Sequence, residues 1–172
     1  VQEENKNLIN ASVLGLIFEK INGYKDGSFF TPGFITMYMC RETIRRAVVQ
    51  KFNDTKTWNC TDFSELYDKI GEKKEDRIEA NAIVNSLKIC DPAVGSGHFL
   101  VSALNEIIAI KSDLRILLDN EGKRLKEYAV VVENDELCVY DEDNEPFAYN
   151  PKSAESRRVQ ETLFHEKQTI IE

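Results

Sequence analysis

The 172 residues predict an α/β fold that is mostly helical and short of strands. Three observations carry that prediction. The stretch "SLKICDPAVGSGHFLVSAL", residues 86–104, passes from a short apolar strand through a small-residue turn into an apolar-periodic helix. Residues 7–22 and 33–52 carry apolar side chains at helical spacing. Residues 127–149 hold two β-rich runs around Asn134-Asp135, the pattern of a hairpin. A doubly wound sheet alternates strand and helix several times. Here one strand of the parallel kind is present, so the unit reads as incomplete.

The elements follow in order. Residues 7–22 place Leu14, Ile17, Phe18 and Ile21 on one helical face, and Gly23 is a natural stop. "GYKDGSFFTPGF" is rich in turn residues. Thr31-Pro32 reads as an N-cap followed by proline at the first helical position. The helix that follows has Ile35, Met39 and Ile44 as expected core contacts. Residues 53–74 are polar, with Trp58 as an aromatic anchor and a short helix around "DFSELYDKI". Residues 75–85 form a helix and "SLKIC" a strand. A helix over 97–118 turns Phe99, Leu100, Ala103, Leu104, Ile107 and Ile108 inward. In the hairpin, Asp135 stands where a tight turn favours glycine. "YNPK" is a turn, and a last helix starts near Ala154.

Composition narrows the function classes. The formal net charge is −8. A free-standing nucleic-acid reader usually shows a basic face, so this chain is not expected to be the main DNA-gripping surface. "RETIRR" is one small basic patch, read as a solvated helix face. No run is long enough to span a bilayer and no signal peptide is visible, so a cytoplasmic protein without membrane contact is expected. Cys40, Cys60, Cys90 and Cys138 are widely spaced, and His98 and His165 are the only histidines. That set fits isolated reduced thiols better than a zinc site.

The glycine turn carries the chemistry. Glycine accepts positive φ and has no Cβ, so a ligand can approach its backbone, and the helix behind it offers free N–H groups. A phosphate-cradling P-loop needs Lys-Ser or Lys-Thr after the last glycine, which is missing after Gly97. A dinucleotide fingerprint needs a third glycine at position 100, where Leu100 stands. A plain packing turn is the remaining alternative, and it leaves the Asp91-Pro92 lead unexplained. An acid at the carboxyl end of a first strand faces the usual ligand crevice, where it can attract an amino group.

The whole string "DPAVGSGHFL" resembles the first cofactor motif of S-adenosylmethionine-dependent DNA methyltransferases, (D/E)-P-A-x-G-x-G-x-F. Asp91, Pro92, Ala93, Gly95, Gly97 and Phe99 fill its fixed places. "GSFFTP", Gly27 to Pro32, resembles the Thr-Pro motif that precedes it in the adenine-N6 subclass. "LGLIFEKI" is similar to the helix leading into that motif in long restriction–modification proteins. The tail "QETLFHEKQTIIE" looks like the type IIG group, whose endonuclease and methyltransferase share one polypeptide.

The resemblance implies an incomplete Rossmann-like methyltransferase domain, mostly helical, with an inserted β-hairpin. Residues 1–85 would be an N-terminal helical part carrying "GSFFTP", and 86–172 the start of the cofactor-binding α/β domain. Asp91 would sit near the amino-acid moiety of S-adenosylmethionine. Pro92, Ala93, Gly95 and Gly97 would shape the backbone against it, with Phe99 completing the motif. Thr31 and Pro32 would line the methionine side, with Phe29 or Phe30 packed over it. His98 holds a variable place and reads as an ordinary helix-start residue.

The family's amine-holding loop, (D/N)-P-P-(F/Y/W), is not in the sequence: Asn150-Pro151 is followed by Lys152. No catalytic residue is therefore assigned. Glu133, after "AVVV", is the alternative ribose-holding acid, although the resemblance puts that acid later than Glu172. The expected function is part of a DNA (adenine-N6) methyltransferase, inactive alone and with little DNA affinity of its own. A methyltransferase acting on RNA or protein, and a non-catalytic helical module, are the alternatives.

Overall fold

The computed structural model describes residues 31–171, together with the helical residues Ile17, Lys20 and Ile21. The rest of the expected helix over 7–22, and Gly27 to Phe30 of "GSFFTP", lie outside the described residues. Within them the order is α1 (Gly33–Lys56), α2 (Phe63–Lys69), α3 (Lys74–Asn85), α4 (His98–Asp113), β1 (Ala129–Glu133), β2 (Glu136–Tyr140) and α5 (Ala154–Ile171).

Helix α1 begins one residue later than its proline suggests. Pro32 itself takes the cap position, with φ −57° and ψ 141°, and no side chain caps the helix. The Pro32 carbonyl accepts from the amides of Ile35 at 3.0 Å and Thr36 at 3.1 Å. Thr31 is thus not the cap. The core face of α1 also differs from expectation. Ile35 and Met39 are 37% and 45% exposed, while Ile44 is 6% exposed. The buried stripe is Thr36, Cys40, Ile44, Val48, Val49 and Phe52. Its i, i+4 steps put one side chain per turn on the face that meets α4. Burying a side chain such as Phe52 completely contributes about 2–3 kcal/mol.

Helix α2 starts as the sequence suggests. Asp62 Oδ1 accepts from the Glu65 amide at 2.9 Å, and Glu65 Oε2 accepts from the Thr61 amide at 2.7 Å. Trp58 stacks on Phe52 with centroids 5.9 Å apart. In "RETIRR", Arg41 and Arg46 are exposed as a solvated face would be, while Arg45 is partly buried. Its guanidinium reaches Glu106 and Asp113 of α4, each at 2.7 Å, and lies over the Phe63 ring.

Helix α4 is the centre of the molecule. One side packs with α1, α2 and α3 in a cluster that includes Phe52, Leu66, Val84 and Ile110. The other packs with the hairpin and α5 through Ile108, Leu117, Leu125, Val130 and Val159. Burial on both sides takes in polar side chains of α4 as well as apolar ones: Ser102, Asn105, Glu106 and Lys111 are buried with Ile107, Ile108 and Ile110. Leu100, expected inside, is 40% exposed. The helix ends at Asp113, short of residue 118. Arg115 takes a left-handed φ of 60°, the Ile116 amide donates to Lys111 O, and the Arg115 amide donates to Ser112 O. This is a Schellman ending, which usually calls for glycine.

"SLKIC" forms no strand: Leu87–Cys90 has no sheet partner among the described residues. A strand needs a neighbour for its N–H and C=O groups. The one sheet described is the antiparallel pair β1–β2, which pairs Glu133 with Glu136 across the turn. Asn134 and Asp135 have φ of 50° and 65°, as a primed two-residue turn requires. Asn150 closes the turn before α5, its Oδ1 accepting from the Lys152 amide at 3.0 Å. The four cysteines are free. No described helix is long and apolar enough to cross a membrane, and no described cluster could hold a metal ion.

Candidate cofactor site

The turn between Cys90 and α4 is built by three local constraints. Asp91 Oδ1 accepts from the Ala93 amide at 3.0 Å, folding the chain back over Pro92. The Gly97 amide donates to Val94 O at 2.7 Å, closing the next turn. Gly95 and Gly97 have φ of 52° and 79°, values that other residues adopt at a cost of roughly 1–2 kcal/mol. Gly97 is the cap of α4 and no side chain caps the helix. The first amides of α4 therefore have no intrahelical partner.

Two features single out this turn. Asp91 Oδ2 is screened from solvent and has no hydrogen-bond partner among the described residues. Leaving a buried carboxylate oxygen unsatisfied is costly, so a donor brought by a ligand would be stabilised there. A Cβ built on Gly97 would meet no atom of the described residues within 4 Å. Gly97 is thus required by its φ and not by crowding, and the space beside its backbone is open. Pro92, Ala93, Val94, Gly95 and Ser96 are exposed around it.

Phe99 is placed differently from the glycines. It packs against the first core cluster, and its carbonyl accepts from the Cys40 thiol at 3.8 Å. Cys40 meeting Phe99, and Arg45 meeting Glu106 and Asp113, run in the same sense along both helices. Helices α1 and α4 are therefore roughly parallel. Pro32 lies eight residues before Cys40, about 12 Å further along the axis at 1.5 Å per residue. Thr31 and Pro32, both exposed, thus rise beyond the end of the helix pair that holds the glycine turn. Phe30 lies outside the described residues. Glu133 lies at the end of β1, and its Oε2 accepts from the Tyr140 hydroxyl at 2.7 Å.

Sequence reasoning misses the polar cluster behind the turn. His98 is 9% exposed, far from an ordinary helix-start residue. Its Nε2 lies 3.0 Å from Asp135 Oδ2, close enough for an ion pair but without the alignment of a hydrogen bond. The Ser102 hydroxyl donates to Asp135 Oδ1 at 2.6 Å, and Asn105 Nδ2 donates to Asp135 O at 3.4 Å. The one available signal is the aspartate at the glycine-favoured place of the hairpin.

No protein-family model and no solved structure matches the chain. The chain is 36% identical, over 142 aligned residues, to a Methanocaldococcus jannaschii protein named as a type II restriction enzyme and methyltransferase. The match covers 73% of this chain and 12% of that protein.

Proposed function

We propose that the chain is the N-terminal part of the methyltransferase domain of a DNA (adenine-N6) methyltransferase, of the type IIG restriction–modification kind. The observation that carries this reading is the turn from Asp91 to Gly97, with an orphaned carboxylate oxygen beside open glycine backbone. The order of "GSFFTP" before "DPAVGSGHF" and the name of the Methanocaldococcus relative support it.

S-adenosylmethionine, when bound, supplies a methyl group activated on a sulfonium. The residues of the turn fit its amino-acid end. Asp91 Oδ2 would accept from the ammonium group, a charge-assisted bond stronger than a neutral one. Gly95 and Gly97 would let the backbone touch the ligand. Pro92 and Ala93 shape the turn that aims Asp91. Thr31 and Pro32, at the same end, would line the methionine side together with Phe30. Phe99 would anchor the motif to the core. The residues that hold the target amine belong, on this reading, to sequence beyond these residues, as do the strands completing a Rossmann-like sheet. The target base would leave the duplex to be reached.

The test is transfer of a labelled methyl group from S-adenosylmethionine to DNA. The parent protein is expected to place the label on adenine N6, and the 172-residue chain alone to place none. Label on cytosine, on RNA or on protein, or transfer by the short chain alone, overturns the reading.

A further inference from the structure

We propose that Asp135, in the turn of the β-hairpin, is a positioning residue for the glycine turn, acting through the first two turns of α4. Its functional meaning rests on the reading of that turn as the methyl-donor site. The geometry stands apart from it.

Asp135 is distant in sequence from the turn, yet buried against the start of α4, the helix that follows it. Its carboxylate is 4% exposed. One oxygen accepts from Ser102, and the other faces His98, the first residue of α4 after Gly97. The Asp135 carbonyl adds a contact from Asn105, one turn further on. The same hydroxyl lies 3.1 Å from His98 O, so its one proton is shared between that carbonyl and the closer Asp135 oxygen. A single carboxylate thus grips α4 from residue 98 to 102, just behind the amides the turn exposes.

The backbone supports the same assignment. Asp135 has a φ of 65°, where glycine suits the turn better. An aspartate that served only the turn would sit there at a conformational disadvantage. Held backbone of this type is a feature of positions fixed by their surroundings. The hairpin is thereby more than a solvated excursion: its tip braces the helix that presents the glycine turn. A side chain so placed resists rotation of the α4 start, and with it displacement of Gly97 relative to Asp91.

Amide hydrogen exchange on the 172-residue chain tests this, with Asp135→Gly as the main variant. Glycine retains the hairpin turn, so global stability is a poor readout and local exchange a good one. Expected is about tenfold faster exchange at the Gly97 and Val101 amides, both hydrogen-bonded in the turn and first helical turn. The Leu114 amide at the far end of α4 and the Phe147 amide on the hairpin are expected to stay within about twofold. Asp135→Asn, which keeps an acceptor for Ser102, is expected to remain within about threefold of wild type at Gly97 and Val101. Unchanged exchange at those two amides in Asp135→Gly, or acceleration spread evenly through the molecule, overturns the proposal. In the parent protein, Asp135→Gly is further expected to weaken S-adenosylmethionine binding by about tenfold. Failure of the wild-type parent to bind S-adenosylmethionine would refute the methyl-donor reading alone, with the exchange result still deciding Asp135.

Discussion

Burial pushes the Cys40 thiol up to about 11, and the carboxylates of Asp135 and Glu106 add to the effect. The folded protein therefore holds this proton more tightly than the unfolded chain, whose thiol titrates near 9.0. By linkage, the resulting stabilisation is complete below pH 9 and is lost as pH rises through about 11. Two units amount to about 3 kcal/mol. Urea unfolding across that range is expected to show a steeper alkaline loss for wild type than for Cys40→Ala. Parallel profiles would show that Cys40 contributes nothing to the pH dependence. Cys90 contrasts with it: an exposed thiol beside Asp91, open to reagents that Cys40 resists.

Between elements, the principal polar tie is Lys111 of α4 with Glu166 of α5. Lys111 is fully buried and Glu166 nearly so. Asn81 of α3 donates to Glu166 Oε1 at 3.0 Å and to Ile116 O at 2.9 Å, and Asn85 donates to Asn81 at 2.9 Å. Burial holds the Lys111 ammonium below its ordinary value, with Glu166 opposing the shift. Removing one partner of such a pair strands the other charge. Lys111→Met is therefore expected to cost about 3–5 kcal/mol. Adding Glu166→Leu is expected to recover most of that loss, since a well-packed apolar pair can match a buried ion pair. Urea unfolding of the single and double variants decides. Losses that simply add would show the two side chains to be uncoupled.

Elements also show where sequence is legible and where it is not. The hairpin, the short helix around "DFSELYDKI" and the glycine turn are readable because their signals are local: alternation, helical periodicity, and small residues at fixed offsets. The core face of α1 is less so. It carries two stripes, and hydropathy favours Phe34, Ile35, Tyr38 and Met39, which stay at least partly exposed. The packed stripe uses Thr36 and Cys40, compact side chains where α4 approaches closely. The end of α4 is hidden because Arg115 stands where a Schellman turn usually has glycine. The role of Asp135 is hidden because it depends on residues more than thirty positions away. "SLKIC" has strand character, but pairing depends on a neighbour that composition cannot supply.

At the scale of the whole molecule, α4 divides two cores and carries the candidate cofactor turn at its start. Beside that turn, Leu87, Ile89, Leu100, Val101, Leu104 and Ile170 line an apolar groove of about 460 Å³. The net charge of −8 fits a part that holds a small ligand while phosphate contacts, which supply much of DNA affinity, are made elsewhere. On the proposed function, the turn from Asp91 to Gly97 binds S-adenosylmethionine. The most direct test is calorimetric titration of S-adenosylmethionine into the parent protein and its Asp91→Ala variant, with DNA affinity measured in parallel. Expected are binding by wild type, a loss of about tenfold or more in Asp91→Ala, and unchanged DNA affinity. No binding by wild type, or a variant that loses DNA affinity while keeping S-adenosylmethionine affinity, would contradict it.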